Sequence, residues 1–370
     1  MKKIILFYFL SFLLFSLFTF FYIDENFFYL RSLYSGINLH MPLFAILLYS
    51  LFISLLYFGY FKILVYAPKI KIQKKMLLLP FIGIFAYPAI LSFDLFNYIA
   101  TAKVAFHYFE NPYVIMPIEF SGDPMLLFTH AANKTALYGP LWILLTAIPY
   151  YLSFQQYVLS VIFLKLFVGL FFVGTVILLW KLTRSMYNVL FFAANPLVLI
   201  ETFISGHNDI VMMFLALASV YSLKKNKLLF SIILLVCSIL IKYATVFMIP
   251  VFLFLLAQII AKKKVDWDYW YIGLFLSMLF ICLLSPLREE LYPWYAIWPL
   301  TFFSLVAEKK RFLGYIVILG SYGLMLAYIP YMYLWTYTGI TPILKNVCIV
   351  MPLTLFLSYV CLQRFYRLLS

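Results

Sequence analysis

Long apolar runs separated by short clusters of basic residues form the dominant pattern of the chain. A transmembrane helix needs about 20 predominantly apolar residues. Runs that reach or approach this length predict twelve spans, at 4–23, 42–66, 76–93, 157–180, 187–204, 209–223, 228–241, 243–261, 270–286, 294–307, 312–333 and 342–362. The expected fold is therefore an all-α polytopic membrane protein with about 12 transmembrane helices. We expect residues 1–370 to form a single transmembrane domain without a separate soluble one.

The basic clusters predict the orientation of these spans, because cytoplasmic loops of membrane proteins carry an excess of Lys and Arg. The clusters lie at 2–3, 69–75, 181–184, 224–227, 262–264, 309–311 and 364–367. Twelve spans place all of them on one side of the membrane, with both termini in the cytoplasm.

The longest predicted outer loop, at 94–156, is expected to carry function. Loops of this length without structure of their own are uncommon in compact proteins and are usually functional. Within it, the apolar segment 139–151 has a length more typical of re-entrant or interfacial segments than of full spans. The loop is therefore predicted to contain amphipathic helices and a re-entrant segment at the outer membrane surface.

Composition supports residence in the cell membrane as a multi-pass protein. Hydrophobic residues make up 66% of the chain and charged residues 11%, with a mean hydropathy of +1.03. A soluble domain carries roughly 25% charged residues, so the lipid bilayer must solvate most of this surface. The net charge of +14 does not indicate a nucleic-acid partner, because the basic residues lie in clusters between apolar runs. The four cysteines stand singly, without the spacing of a metal or redox motif.

Asp94 begins the outer loop, where the third predicted span leaves the membrane. A helix from Asp94 towards Phe109 would place Asp94, Asn97 and Tyr98 on one face. An acid in such a position serves either as a general base or as a helix N-cap, and its position alone does not decide between the two.

His207, Asn208 and Asp209 are predicted to lie together at the outer mouth of a span, close to Glu201. Polar and ionisable groups at membrane depth are hypotheses of function by default. This triplet would bind a sugar, contribute to a cation site, or cap the following helix. One His and one Asp do not make a metal site, so the sequence assigns no metal ligand and leaves a divalent cation as one option.

Lys242 is predicted at the outer end of a span, away from every cytoplasmic cluster. Such a lysine needs an anionic partner or an exit to water, and a lipid phosphate is one candidate. Lys103, Lys134 and Arg288 are further outer-face cations that would share this role.

Three short motifs add candidate binding residues on the same face. They are Asn111-Pro112-Tyr113, Tyr138-Gly139-Pro140 and Pro293-Trp294-Tyr295. The first two predict turns. Trp294 and Tyr295 are expected interfacial anchors, and they would also suit stacking on a sugar.

Taken in order, these motifs resemble those of the polyprenol-phosphate-mannose-dependent α-1,6-mannosyltransferases, members of the GT-C superfamily. The resemblance covers roughly 93–300 and rests on Asp94-x3-Tyr98, the three motifs above, and Asn195-Pro196 leading to His207-Asn208-Asp209. At the position of Asp209 those enzymes often have Glu, which leaves the sugar and the linkage open.

The resemblance implies transfer of a sugar, expected to be mannose, from a polyprenyl-phosphate donor. The acceptor would be a hydroxyl of a glycan or glycolipid on the extracytoplasmic side, with Asp94 as the catalytic base. Together, the motifs, the polar triplet and the outer-face cations make the following residues candidates for substrate binding: Asn97, Tyr98, Lys103, Asn111, Tyr113, Tyr138, His207, Asn208, Asp209, Lys242, Arg288, Trp294 and Tyr295.

Two other functions compete with this one. A transporter or flippase of a lipid-linked saccharide is suggested by the span count and by Lys165, Glu201 and Lys345 at membrane depth. Against it, the chain shows no matching halves of the kind that transporters are built from. An O-antigen-ligase-like or polymerase-like enzyme would be expected to show pairs of Arg and His between Asp94 and Tyr138, and these are not evident.

Overall fold

In the computed structural model, residues 2–22, 41–69, 78–88, 92–287 and 290–369 are described, the last six by backbone alone. Within these ranges the secondary structure is helical throughout. The α-helices are α1 Lys2–Phe18, α2 Pro42–Tyr66, α3 Asp94–Phe106, α4 Pro140–Leu152, α5 Tyr157–Thr183, α6 Met186–Ala193, α7 Pro196–Leu199, α8 Asp209–Lys224, α9 Leu228–Ile241, α10 Ile249–Ile260, α11 Trp267–Leu284, α12 Ile297–Phe303, α13 Arg311–Leu326, α14 Tyr328–Leu334 and α15 Thr341–Leu369.

Seven helical segments in the described ranges are long and apolar enough to cross a bilayer. They are Lys2–Tyr22, Pro42–Tyr66, Tyr157–Thr183, Tyr243–Ile260, Trp267–Leu287, Arg311–Leu334 and Thr341–Gln363. A bent pair, Met186–Ala193 with Pro196–Ile204, makes an eighth if it is counted as one span. The prediction of a polytopic all-helical membrane protein is confirmed at this level.

The bend of 54° in that pair has a local cause. Pro196 lacks the N–H that would continue the ladder of the preceding helix. The Asn195 side chain accepts a hydrogen bond from the Leu197 N–H at 3.0 Å and so caps the next helix.

Three predicted spans correspond to helices that are short for a bilayer. Predicted span 209–223 is the 16-residue α8, and 228–241 is the 14-residue α9. Predicted span 294–307 is a 3-10 turn, Pro293–Ala296, followed by the seven-residue α12. At about 1.5 Å per residue, helices of this length fall short of the roughly 30 Å hydrocarbon core.

The predicted long helix at 76–93 is wrong in its described part. Leu79–Phe85 is a 3-10 helix and is followed by an irregular segment that contains Pro88. Pro80 and Pro88 cannot donate backbone hydrogen bonds, which disfavours one continuous α-helix here.

The buried centre of the protein is α8, which packs against α5, α9 and α12. Ser219 and Ser231 exchange hydrogen bonds between α8 and α9, each hydroxyl donating to the other residue's carbonyl at 2.8 Å. Small hydroxyl residues of this kind allow close approach of helices and join them inside a membrane.

Basic clusters meet at one end of the helices. Lys224, at the C-terminal end of α8, lies over the ring of Trp267 at 5.1 Å, and Lys309 pairs with Asp268 of the same helix. Lys181 lies over Tyr221 at 5.7 Å. Since Asp209 and Lys224 bound α8, the loop before Asp209 lies at the opposite end.

At that opposite end the segment 94–156 is structured. It contains α3, the 3-10 turns Pro117–Glu119 and Pro124–Phe128, and α4. Tyr151 at the end of α4 donates to the carbonyl of Phe106 at the end of α3, at 3.2 Å. The helix predicted from Asp94 to Phe109 ends at Phe106, and Phe109 takes a left-handed φ of 57°.

Candidate active site

A cavity of about 620 Å³ lies at the end of the protein away from the basic clusters. Small-molecule sites usually have volumes of about 300 to 1,000 Å³. Side chains from the two halves of the chain line it, among them Asp94, Asn97, Lys134, Tyr138, Lys242, Tyr292, Trp294, Tyr295, Trp298, Tyr328 and Lys345.

Asp94 is the first residue of α3, and its side chain remains 26% exposed towards this cavity. Phe93 occupies the N-cap position, and no side-chain hydrogen bond caps the helix. The capping interpretation of Asp94 is therefore wrong, because its carboxylate is not used for that purpose. A carboxylate in the first turn is still favoured by the helix dipole.

The surroundings of Asp94 favour its protonated form. Burial raises the pKa of the Asp94 carboxyl, while His207 and Lys242 partly offset this rise. A carboxylate whose pKa lies above its ordinary value is a stronger proton acceptor than an ordinary one, and this is how general bases are tuned.

His207 is completely buried directly behind Asp94. Its Nδ1 lies 3.6 Å from Asp94 Oδ2, and its Nε2 lies 3.2 Å from Glu201 Oε2. The ring stacks on Trp294, with 4.1 Å between ring centroids. Within the described ranges, neither ring nitrogen makes a contact with hydrogen-bond geometry.

Lys242 reaches the cavity from the C-terminal end of α9, where it is the C-cap residue. Its Nζ lies 3.0 Å from Asp209 Oδ1 and 4.7 Å from the ring centroid of Tyr295. Trp298 Nε1 donates to the same Asp209 oxygen at 2.5 Å. Asp209 is fully buried, so it holds Lys242 and Trp298 in place and is not open to a ligand.

Tyr138 forms part of the cavity wall, and Tyr98 packs between it and Asn208. Their rings meet edge to face at 4.6 Å, and the Tyr98 hydroxyl accepts from the Asn208 N–H at 3.5 Å. Burial raises the pKa of both phenols, which keeps them neutral donors. Asn208 is buried at the N-cap position of α8, yet its side chain makes no capping hydrogen bond.

Two other predicted binding residues stand at or behind this wall. The Asn97 side chain lines the cavity and accepts from the Ala131 N–H at 3.3 Å. Tyr113 does not line the cavity, but its hydroxyl donates to the Tyr138 carbonyl at 2.7 Å. Tyr113 thus supports the cavity wall from outside.

Two other predicted binding residues, Lys103 and Asn111, make their contacts away from the cavity lining. Lys103 instead forms an ion pair with Asp123 at 2.7 Å, because the 3-10 turn after Asp123 folds back over α3. Asn111 accepts from the Tyr113 N–H at 3.0 Å and so stabilises a turn. Arg288 lies outside the described residues.

Several residues of the site were not predicted as binding residues. Glu201 stood out in the sequence only as an ionisable residue at membrane depth, which suggested a transporter. Trp298 carried no signal of its own. Lys345, which pairs with Glu290 and lines the cavity, likewise stood out only as an ionisable residue at membrane depth.

The side chains that the structure describes do not form an evident metal site. Within them, no group of three or more His, Cys, Asp or Glu side chains has a spacing that would hold an ion.

Comparison with known proteins identifies the chain's family. No curated protein and no solved structure matches it. The model of the family described as alpha-(1->6)-mannopyranosyltransferase, N-terminal domain (MptA_B_family) matches residues 36–258. The match includes Asp94, Tyr138, His207 and Lys242, and it confirms the resemblance found in the motifs. Because it spans more than half of the 370 residues, the chain belongs to the α-(1→6)-mannopyranosyltransferase family and is a mannosyltransferase-type glycosyltransferase.

Proposed function

We propose that this protein transfers a mannosyl residue from a polyprenyl-phosphate donor to a hydroxyl of a glycan or glycolipid acceptor, with Asp94 as the general base. The observation that carries the proposal is the meeting of Asp94 and Lys242 at one cavity. A proton acceptor and a fixed cation are the two groups that such a transfer requires.

The roles of the two residues follow from the charges that change during the reaction. As the acceptor oxygen bonds to the anomeric carbon, its proton passes to Asp94. The bond between the anomeric carbon and the phosphate oxygen breaks, and its electron pair leaves with the phosphate. Lys242 lies where an ammonium would stabilise that departing charge, and Asp209 and the aromatic rings keep it from moving.

A lipid-linked donor fits the surroundings of Lys242. Tyr243, Phe247, Ile281 and Leu284 line the cavity beside it. Tyr243 and Phe247 are partly exposed on a segment apolar enough to span the membrane. A prenyl chain lying along this wall would place its phosphate at Lys242 and its sugar towards Asp94.

The orientation of the site is also a proposal. The clusters around Lys181, Lys224 and Lys309 lie at the end of the helices opposite the cavity. By the positive-inside rule that end faces the cytoplasm, so the cavity would open on the extracytoplasmic side.

A GT-C type arrangement with cytoplasmic termini agrees with this orientation, with fewer complete spans among the described residues than the twelve predicted from the sequence. The shorter α8 and α9 would serve as incomplete spans beneath a recessed cavity. Irregular backbone at membrane depth is tolerated where it lines such a space.

The three ionisable residues that suggested a transporter lie towards the cavity and are not spread along a path through the bilayer. Glu201 contacts His207, and Lys345 lines the cavity. Lys165 donates to the Ala86 carbonyl at 2.7 Å, in the segment that leads to Asp94. Their placement favours an enzyme over a flippase.

The proposal is tested by reconstituting the purified protein in proteoliposomes with radiolabelled polyprenyl-phosphate-mannose and an oligosaccharide acceptor. We expect a new glycosidic product with this donor, and little with the same lipid phosphate carrying glucose. Movement of labelled lipid between leaflets without any glycosidic product would overturn the proposal in favour of a flippase.

A further inference from the structure

Glu201 and His207 are buried against each other behind the proposed base. Both side chains have no exposed surface, and His207 Nε2 lies 3.2 Å from Glu201 Oε2. The Tyr328 hydroxyl donates to the other carboxylate oxygen, Oε1, at 2.9 Å. Asp94, His207, Glu201 and Tyr328 thus form one continuous row, and both Asp94 and Tyr328 line the cavity.

The backbone fixes the distance between Glu201 and His207. Glu201 lies in a π-helical turn, Ile200–Ile204, in which the Ser205 N–H donates to the Ile200 carbonyl at 3.0 Å. The His207 N–H then donates to the Glu201 carbonyl at 2.9 Å. Single π-turns of this kind occur often at functional sites because they re-aim side chains.

A glycine closes this loop onto α3. Gly206 takes a φ of +74°, and a Cβ added to it would lie 2.4 Å from Leu95 Cδ1. Leu95 directly follows Asp94, so the loop that carries His207 is pressed against the turn that carries the base. The relative position of the two side chains is therefore set by packing.

Apolar packing alone does not explain why the polar groups of Glu201 and His207 are buried here. Burying a carboxylate costs several kcal/mol unless it is paired and hydrogen-bonded. Glu201 Oε2 and both ring nitrogens of His207 have no hydrogen-bond partner in the parts of the chain that the structure describes. The two ring nitrogens instead face carboxylate oxygens of Glu201 and Asp94 at 3.2 and 3.6 Å. Catalytic hydrogen bonds are often long without substrate and tighten when it binds.

We propose that Glu201 is a positioning residue for the transfer reaction, acting on Asp94 through the imidazole of His207. This inference rests on the function proposed above. Glu201 accepts the Nε2–H of His207 and so leaves Nδ1 facing Asp94. When Asp94 has taken the acceptor's proton, that proton passes to Nδ1, and Glu201 balances the charge of the imidazolium.

The proton is accounted for at every step of this reaction. It leaves the acceptor oxygen as that oxygen bonds to the anomeric carbon, and the electron pair of the broken bond leaves with the phosphate. It resides on Asp94 and then on His207, and it returns to water through the exposed edge of Asp94 after product release. Trp294, stacked on the imidazole, keeps the ring plane fixed.

Replacing Glu201 by Gln tests this role, because the amide keeps the size and removes the charge. We expect kcat to fall about 10²-fold, with the KM for polyprenyl-phosphate-mannose unchanged. The acid limb of the kcat–pH profile should move to lower pH, since the Asp94–His207 pair holds its shared proton less tightly once the imidazolium is less stabilised. The groups that bear on this limb are Tyr49, Asp94, Tyr98, Tyr138, Lys165, Glu201, His207, Asp209, Lys242 and Tyr328.

Two further variants separate this role from a structural one. Tyr328→Phe keeps Glu201 and removes its hydrogen bond, so it should shift kcat and the acid limb in the same direction by a smaller factor. Thr202→Val is the matched control. It lies in the same buried π-turn, its hydroxyl has no partner within the described ranges, and we expect wild-type kcat and pH profile.

The outcomes distinguish this inference from the proposed function. If Glu201→Gln keeps wild-type kcat and pH profile while Asp94→Asn is inactive, the inference is overturned and the base assignment stands. If Asp94→Asn itself turns over normally, the base assignment fails and the inference fails with it. Should Glu201→Gln not fold, an unchanged kcat and pH profile in Tyr328→Phe would overturn the inference.

Discussion

The ammonium of Lys242 lies 3.0 Å from the carboxylate of Asp209, and Asp209 is completely buried at the start of α8. This pair joins the end of α9 to the central helix and aims a cation at the cavity. Lys242 therefore has a structural role and a proposed catalytic role, and the two can be separated by mutation.

Lys242→Met should lose both roles. It leaves the buried Asp209 without its cation, which typically costs about 3–5 kcal/mol. It should also raise the KM for polyprenyl-phosphate-mannose at least tenfold. The double variant Lys242→Met/Asp209→Asn removes the uncompensated charge while an amide oxygen still accepts from Trp298. We expect thermal stability to recover in the double variant and KM to stay high. A return of KM to the wild-type value would show that Lys242 does not bind the donor.

Ionisation of Asp94 should raise activity and lower stability, so the two should respond to pH in opposite directions. The base must be ionised, so kcat should fall as pH decreases through the raised pKa of Asp94, above the ordinary range of an aspartate. Since the folded-state pKa exceeds the unfolded one, the stabilising contribution is present below the unfolded pKa and is lost as pH rises through the folded value.

These two trends are checked with a kcat–pH profile and thermal unfolding across the same pH range. Asp94→Asn should remove the loss of stability at higher pH and leave the protein at least as stable as the wild type at neutral pH. An acid limb at the ordinary pKa of an aspartate would contradict the raised pKa.

The tripeptide Tyr138-Gly139-Pro140 tolerates no side chain at its centre. The Gly139 N–H donates to the Ile241 carbonyl at 3.1 Å, and a Cβ on Gly139 would lie 2.1 Å from the Leu240 carbonyl oxygen. The backbone at Gly139 and the backbone at Leu240 must move apart to admit the Cβ, so Gly139→Ala should destabilise the protein by about 3 kcal/mol.

The same substitution should lower kcat, because Tyr138 and Lys242 both flank this contact. Gly320→Ala is the matched control, since open space surrounds a Cβ at that position in α13. It should be neutral or stabilising by up to about 1 kcal/mol. Equal unfolding temperatures for the two variants would show that the close approach at Gly139 is not needed.

Asp123 organises the outer segment away from the cavity. It accepts from Lys103 at 2.8 Å, from the Tyr108 hydroxyl at 2.8 Å and from the Met125 N–H at 2.9 Å. Burial opposes the shift, but these three donors hold the pKa of Asp123 below its ordinary value. Its stabilising contribution is therefore present above the unfolded pKa and is lost as pH falls through the depressed folded value.

Lys103→Met should loosen this segment by about 1 kcal/mol without changing the chemistry, because the pair is partly exposed and does not line the cavity. Limited proteolysis should cut the variant faster near residues 108–125, while kcat stays at the wild-type value. A large loss of kcat would instead support the direct substrate role predicted for Lys103 from the sequence.

Much of the site could be predicted from the sequence, namely those residues that one local pattern is enough to indicate. Asp94 and Lys242 stand out because a charge at the end of an apolar run needs a function or a partner, and they meet at one cavity. Lys103 was misplaced because its partner, Asp123, lies on a separate 3-10 turn that no local pattern joins to α3.

The contact between Glu201 and His207 could not be predicted from the sequence either, because no local pattern shows it. In a regular helix the spacing of six residues would not bring the two side chains together on one face. Their contact depends on the π-turn and on Gly206. The bounds of α8 and α9 were predicted closely, but not that these helices are too short to span, since their apolar runs serve a buried core as well as lipid.

The most direct test compares Asp94→Asn with Asp123→Asn in single-turnover transfer from polyprenyl-phosphate-mannose in proteoliposomes. Both variants remove one carboxylate from the same outer segment, but only Asp94 lines the cavity. The prediction is loss of product by at least about 10²-fold for Asp94→Asn and a wild-type rate for Asp123→Asn. A wild-type rate in Asp94→Asn would contradict the assignment of Asp94 as the base.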